Sequence, residues 1–63
     1  MNYGEKLLEF RAKHNLTQAA LAQILGVCVM TVGRLENGYN KPSKVGMIRY
    51  DNKLKEWEMN HNV

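Results

Sequence analysis

Few of the side chains able to do covalent chemistry stand where they would find partners. Cys28 is the single cysteine, so no intramolecular disulfide forms, and the lack of a second cysteine nearby argues against a zinc site. A lone thiol fits a reducing, cytoplasmic setting. His14 and His61 lie far apart in the chain, with no carboxylate or cysteine arranged beside either for a metal, and both read as solvated surface residues. No nucleophile–base pair, no paired carboxylates and no phosphate-cradling glycine loop is present. The chain is therefore not expected to be an enzyme, and no cofactor, metal or small-molecule ligand is implied. What remains is charge. The net charge is only +3, but it is unevenly spread. Between residues 10 and 50 lie Arg11, Lys13, Arg34, Lys41, Lys44 and Arg49 against Glu36 alone, while both ends are slightly acidic. A basic middle in so small a chain suits a polyanionic partner.

The elements that must carry these charges are short. Sixty-three residues make one domain, which buries only about 60% of the surface its unfolded chain exposes. No apolar run approaches the roughly 18 residues of a membrane span, and the N-terminus leads into an amphipathic stretch rather than a signal peptide. The first helix is predicted from Asn2 to Lys13, with Tyr3, Leu7, Phe10 and Arg11 on one stripe and Asn15 suited to left-handed geometry at its end. Thr17 caps a second helix running to Leu25, with Leu16 placed as a hydrophobic staple against Leu21. Leu21, Ala22 and Leu25 share one face, and Gly26 stops the helix. A third helix is predicted from Cys28 to Asn37, turning Val27, Val32 and Leu35 inward and ending at Gly38. Pro42 forces a loop at Lys41. Ser43 then caps a fourth helix whose apolar residues are Val45, Met47, Ile48, Tyr50, Leu54 and Trp57, and Asp51-Asn52 leave open whether it is one helix or two. The expected fold is all-α, with four or five helices in a domain spanning residues 1–59, its paired-helix motif at 18–37 and a frayed tail at 60–63. Leu7, Phe10, Leu16, Leu21, Leu25, Val32 and Leu35 are the predicted core.

The stretch from Leu16 to Gly38 carries the function. Two helices joined by a three- or four-residue turn cross steeply, so the residue at their closest approach must be small. Ala22 meets that need, Gly26 supplies the turn four positions on, and Val32 follows six after that. With these features the chain resembles the phage repressor and Cro family of helix-turn-helix regulators, often called XRE-like. The resemblance spans about Leu7 to Ser43. It rests on the Leu-Thr-Gln opening at Leu16, the Leu21-Ala22 pair, Leu25-Gly26-Val27, Arg34-Leu35-Glu36-Asn37-Gly38 and Lys41-Pro42-Ser43.

The resemblance implies a role for each matching position. Thr17, Gln18, Asn37, Lys41 and Lys44 would meet DNA phosphates, with Gln18 also bracing the recognition helix. Base edges would be met by Cys28, Val29, Met30, Gly33 and Arg34 on the exposed side of the third helix. Arg11 and Glu36 match the pair that forms an internal salt bridge in the family, and losing one partner of such a pair, if partly buried, costs about 3–5 kcal/mol.

The departures from the family pattern are informative. Where its members usually present Ser, Gln, Arg, Lys or Asn, this chain has Val29 and Met30, so only Arg34 on this face can make a bidentate contact to guanine. Val29 and Met30 can still pack against thymine methyls, and Gly33 lets the helix approach closely, so readout is expected to lean on shape, phosphates and one arginine. Cys28 stands where the family often has a capping serine and reads as a weak substitute cap with a half-exposed thiol. Lys53, Lys55, Glu56 and Glu58 look like a solvated helical face. Trp57 either caps the core or joins Leu54 and Met59 in a dimer contact, while Tyr39 and Tyr50 serve loop packing or phosphate bonding.

The expectation is a small Cro-like repressor or controller protein. It would bind double-stranded DNA as a homodimer on a two-fold symmetric operator, with no separate ligand-sensing domain and no membrane partner. The alternative is a protein-interaction module of the same fold that has lost specific readout, such as an antitoxin-like subunit. Exposed Val29 and Met30 motivate it, and the joint presence of Gln18, Asn37, Lys41 and Lys44 separates the two.

Overall fold

The computed structural model describes residues 2–61, which form four helices and no strand: α1 Tyr3–His14, α2 Gln18–Leu25, α3 Val29–Glu36 and α4 Lys44–His61. The fold is all-α. Local chemistry sets most of the boundaries. Asn2 is extended and outside α1, because its Oδ1 accepts from the Glu5 N–H at 2.9 Å and so caps the helix instead of extending it. Asn15 ends α1 in the left-handed region at φ 54°. Thr17 Oγ1 accepts from the Ala20 N–H at 3.1 Å, and Gly26 closes α2 at φ 74°, a conformation that an L side chain adopts only with strain. Ser43 Oγ accepts from the Gly46 N–H at 3.1 Å at the start of α4.

The core gathers Leu7 of α1, Leu21, Ala22 and Leu25 of α2, Val32 and Leu35 of α3, and Leu54 of α4, with Tyr3, Phe10, Ile24, Val27 and Tyr50 packed around its edge. Leu16 is half-buried and stands outside this cluster, near Trp57 at the surface. One close approach is not signalled by any apolar pattern. Gly4 is buried where α1 crosses the end of α3, and a Cβ there would collide with the backbone carbonyl oxygens of Leu35 and Glu36.

The fourth helix corrects several expectations. It runs unbroken through Asp51-Asn52. Asp51 Oδ1 accepts from the Tyr3 hydroxyl at 3.1 Å and pairs with Lys6 Nζ at 3.0 Å. The side chain therefore bonds outward instead of competing for its own backbone. Burial, reinforced by that bond to Asp51, pushes the Tyr3 phenol well above its ordinary range. Lys53 is no idle surface charge, since its Nζ donates to the Leu25 carbonyl at 2.9 Å and caps the C-terminal end of α2. His14 is not solvated either. Its side chain is 22% exposed, its Nε2 lies 2.7 Å from Glu58 Oε2, and its ring sits between Phe10 and Trp57. A carboxylate only accepts, so this nitrogen carries the proton. Trp57 packs edge-on against Phe10 and His14, capping the last turns of α1. Val45 and Ile48 face outward at 59% and 53% exposure. The helix continues to His61, while the His61 side chain and the tail residues Asn62 and Val63 lie outside the described part of the chain.

Candidate nucleic-acid interface

The axes of α2 and α3 turn by 103° across the Gly26–Cys28 turn. That is within the range of a helix-turn-helix. Ala22, only 4% exposed, keeps the crossing close. Val32 and Leu35 are buried, so α3 is fixed along one side and bare along the other. On the bare side Val29 is 48% and Met30 64% exposed, and Cys28 and Arg34 are exposed as well. Met30 and Arg34 are four residues apart and share a helical face, as do Val29 and Gly33. The structure thus brings the expected base-reading residues onto one outward surface.

A partly buried charge cluster anchors this surface. Glu36 has a side chain only 3% exposed, and its carboxylate takes three hydrogen bonds. Arg11 donates through Nε at 2.6 Å and Nη2 at 3.1 Å, and Gln18 donates through Nε2 at 2.9 Å. Arg11 Nη1 also donates to the Leu16 carbonyl at 3.3 Å. One carboxylate at the end of α3 is therefore tied to α1 and to α2, and Arg11 carries the link on to the loop between those two helices. Bidentate, charge-assisted bonds of this kind fix angle as well as distance. The Gln18–Glu36 bond is the brace on the recognition helix that the resemblance implied for Gln18, and the structure adds which residue it grips. The Gln18 amide nitrogen bears a second N–H besides the one given to Glu36.

The expected phosphate partners lie in three places. Thr17 is exposed at the start of α2 with its oxygen already accepting from Ala20. Asn37 is exposed just past α3, and Lys41 and Lys44 are exposed in the loop and at the first position of α4. Neither α2, α3 nor α4 carries an acidic residue in its first turn, whereas α1 has Glu5. No carboxylate within those three first turns offsets the partial positive charge of the helix start.

One expectation about α3 changes. Cys28 makes no side-chain cap. Its exposed Sγ lies 3.2 Å from Thr31 Oγ1 instead, and that contact holds the thiol pKa below its ordinary value. Gly33 is not required by internal packing. A Cβ there would meet only Gln18 Nε2, at 3.9 Å. Among the described residues no single helix is long and apolar enough to cross a membrane, and no group of three or more His, Cys, Asp or Glu side chains is placed to hold a metal ion.

A family model described as Helix-turn-helix matches residues 7–49 of the chain, which takes in α2, α3, the loop after them and the start of α4. No curated protein and no solved structure gives a significant match.

Proposed function

The chain belongs to the XRE-like helix-turn-helix family of DNA-binding transcription regulators, the family of the phage repressors and Cro, and on that premise we propose that it is a small Cro-like repressor or controller protein of the cytoplasm. In this reading it binds a two-fold symmetric operator in double-stranded DNA as a homodimer, with two copies of α3 one DNA turn apart, about 34–36 Å. Arg34 reads a guanine, while Cys28, Val29, Met30 and Gly33 lie along the base edges. Thr17, Gln18, Asn37, Lys41 and Lys44 hold phosphates and set the register. Arg11 and Glu36 are structural.

The observation that supports this most is the pairing of an exposed helix face with a rigid mount. The base-facing side of α3 is open to solvent, and the Glu36 carboxylate beneath it is held by three bonds from two other helices. A helix that only filled a core would need no such clamp beside a bare outer face.

The second reading, a protein-binding module that no longer reads sequence, draws on the exposure of Val29 and Met30. Selection of sites from a random duplex library at two salt concentrations separates the two. The regulator enriches a two-fold symmetric motif and binds it more weakly as salt rises. Weak, salt-sensitive binding without enrichment sinks specific readout and favours the protein-binding module.

A further inference from the structure

Apart from Thr31, the first turn of α3 lacks the polar side chains with which a helix usually reads bases. Val29 and Met30 are its most exposed large residues, and neither bears a hydrogen-bonding group able to pair with a base edge. Cys28 is turned to Thr31, so the one hydroxyl and the one thiol nearby contact each other. One turn on, Gly33 contributes no side chain, and the nearest atom to the place its Cβ would take is Gln18 Nε2 at 3.9 Å. That amide nitrogen already donates to Glu36. The result is an apolar ridge at Val29 and Met30 beside a shallow notch at Gly33. The two parts are separated by one helical turn, about 5–6 Å.

In the major groove the favourable partner for such a surface is a methyl group. Adenine and cytosine present amino donors there, guanine presents acceptors, and thymine adds a 5-methyl group to its acceptor. An apolar side chain pressed over a donor or acceptor strips its water and returns no hydrogen bond, which is costly. Pressed over a methyl it gains apolar burial. Cytosine methylated at C5 carries its methyl at the same ring position as thymine. We propose that the Val29–Met30–Gly33 surface is a reader of pyrimidine 5-methyl groups, ranking thymine above uracil and 5-methylcytosine above cytosine at the one or two base pairs it faces. Binding is therefore sensitive to cytosine methylation at those positions. The inference rests on the DNA-reading function argued above, with Arg34 supplying the single polar contact next to the ridge.

The test uses the full chain and synthetic duplexes of its selected site. Single thymines are replaced by deoxyuridine, and then the same positions are rebuilt as cytosine or 5-methylcytosine. Each replacement within a matched pair changes one methyl group and nothing else. At the positions facing the ridge, loss of a methyl should weaken binding about fourfold, and 5-methylcytosine should outbind cytosine by a similar factor. Elsewhere in the site the methyl should make no difference. The Val29→Ala, Met30→Ala double variant changes only exposed side chains, so it should fold normally and lose the methyl dependence while still preferring the same guanine. Specific binding that ignores every methyl overturns this inference and leaves DNA reading intact. A methyl effect that survives the double variant assigns the contact to other residues and equally overturns it. Absence of any sequence preference removes both this inference and the function it rests on.

Discussion

The three helices that build the proposed reading face and the helix that follows them are held by different forces. Among the described residues seven apolar side chains are buried, and α4 contributes only Leu54. The other six come from α1, α2 and α3, whose mutual angles are further fixed by the Glu36 carboxylate. Along α4 the links are instead polar and peripheral. Asp51 meets Tyr3 and Lys6 near its first half, Lys53 meets the Leu25 carbonyl, and Glu58 meets Lys13 and His14 near its end. The Lys6–Asp51 pair is exposed at 53% and 39%, and pairs of that kind contribute about 0–1 kcal/mol. Apolar burial and a buried carboxylate make one part of the molecule rigid. Surface clasps and a partial aromatic stack leave the other part dependent on conditions. Local opening is thus expected to begin in α4, with the recognition helix among the last elements to exchange its amide protons.

Substitutions ranked by expected effect can break or sharpen that contrast. Arg11→Ala has the largest. Arg11 is 23% exposed, but the Glu36 it leaves behind is 3% exposed, so the loss is about 3 kcal/mol, the low end for breaking a buried pair. Urea unfolding should show a large drop in midpoint. Normal stability would mean the clamp does not hold the three helices together. Leu54→Ala comes next. It removes α4's one buried apolar side chain, at the solvent edge of the core, and should cost about 2 kcal/mol. Amide exchange should accelerate in α4 well before α2 and α3, and uniform acceleration would show a single cooperative unit. Gly33→Ala should act in the opposite direction, raising stability by about 0.5–1 kcal/mol, because the added Cβ meets only an amide nitrogen at 3.9 Å. A loss of stability at this position would contradict the open surface on α3.

Acid should produce the smallest effect. The Glu58 carboxyl is held below the usual carboxylate range, chiefly by its hydrogen bond with His14 and then by Lys13. A lowered folded-state pKa gives stabilisation that is present above the unfolded value and lost as pH falls through the folded one. The clasp therefore holds at neutral pH and releases only as pH falls below the ordinary carboxylate range. Trp57, packed on His14, should report this release by a change in emission that Glu58→Gln lacks. The same transition in both proteins would place the acid sensitivity elsewhere.

How much of this was legible beforehand follows the distance along the chain over which each interaction acts. The caps at Thr17 and Ser43, the left-handed Asn15 and Gly26, and the alternation of core positions in α1 to α3 are local, and they read directly from residue type and spacing. The Arg11–Glu36 pair spans 25 residues, and only the family resemblance brought it into view. The clasps to α4 were missed, with Lys53, Glu58 and His14 taken for solvated surface. Their partners lie 28 to 45 residues away, and no periodic pattern marks a charged residue that turns inward at its tip. Gly4 lies on the same stripe as Leu7 and Arg11, a signal that could have marked it. A glycine contributes nothing to hydrophobic periodicity, however, so the stripe was read without it.

The sequence by itself determined four things: the helical periods, the stops between them, the steep turn after α2 and the unusual apolar character of the α3 surface. These follow from backbone preference and side-chain chemistry within a few residues. Tertiary structure alone decided which further polar side chains are spent internally. It gave Gln18 the same carboxylate that Arg11 holds, and it turned Lys53 onto the end of α2 and His14 onto Glu58. The physical reason is that a charged side chain's partner is chosen by proximity in space and by the cost of leaving a buried group unpaired. Both quantities come into being only when the helices pack.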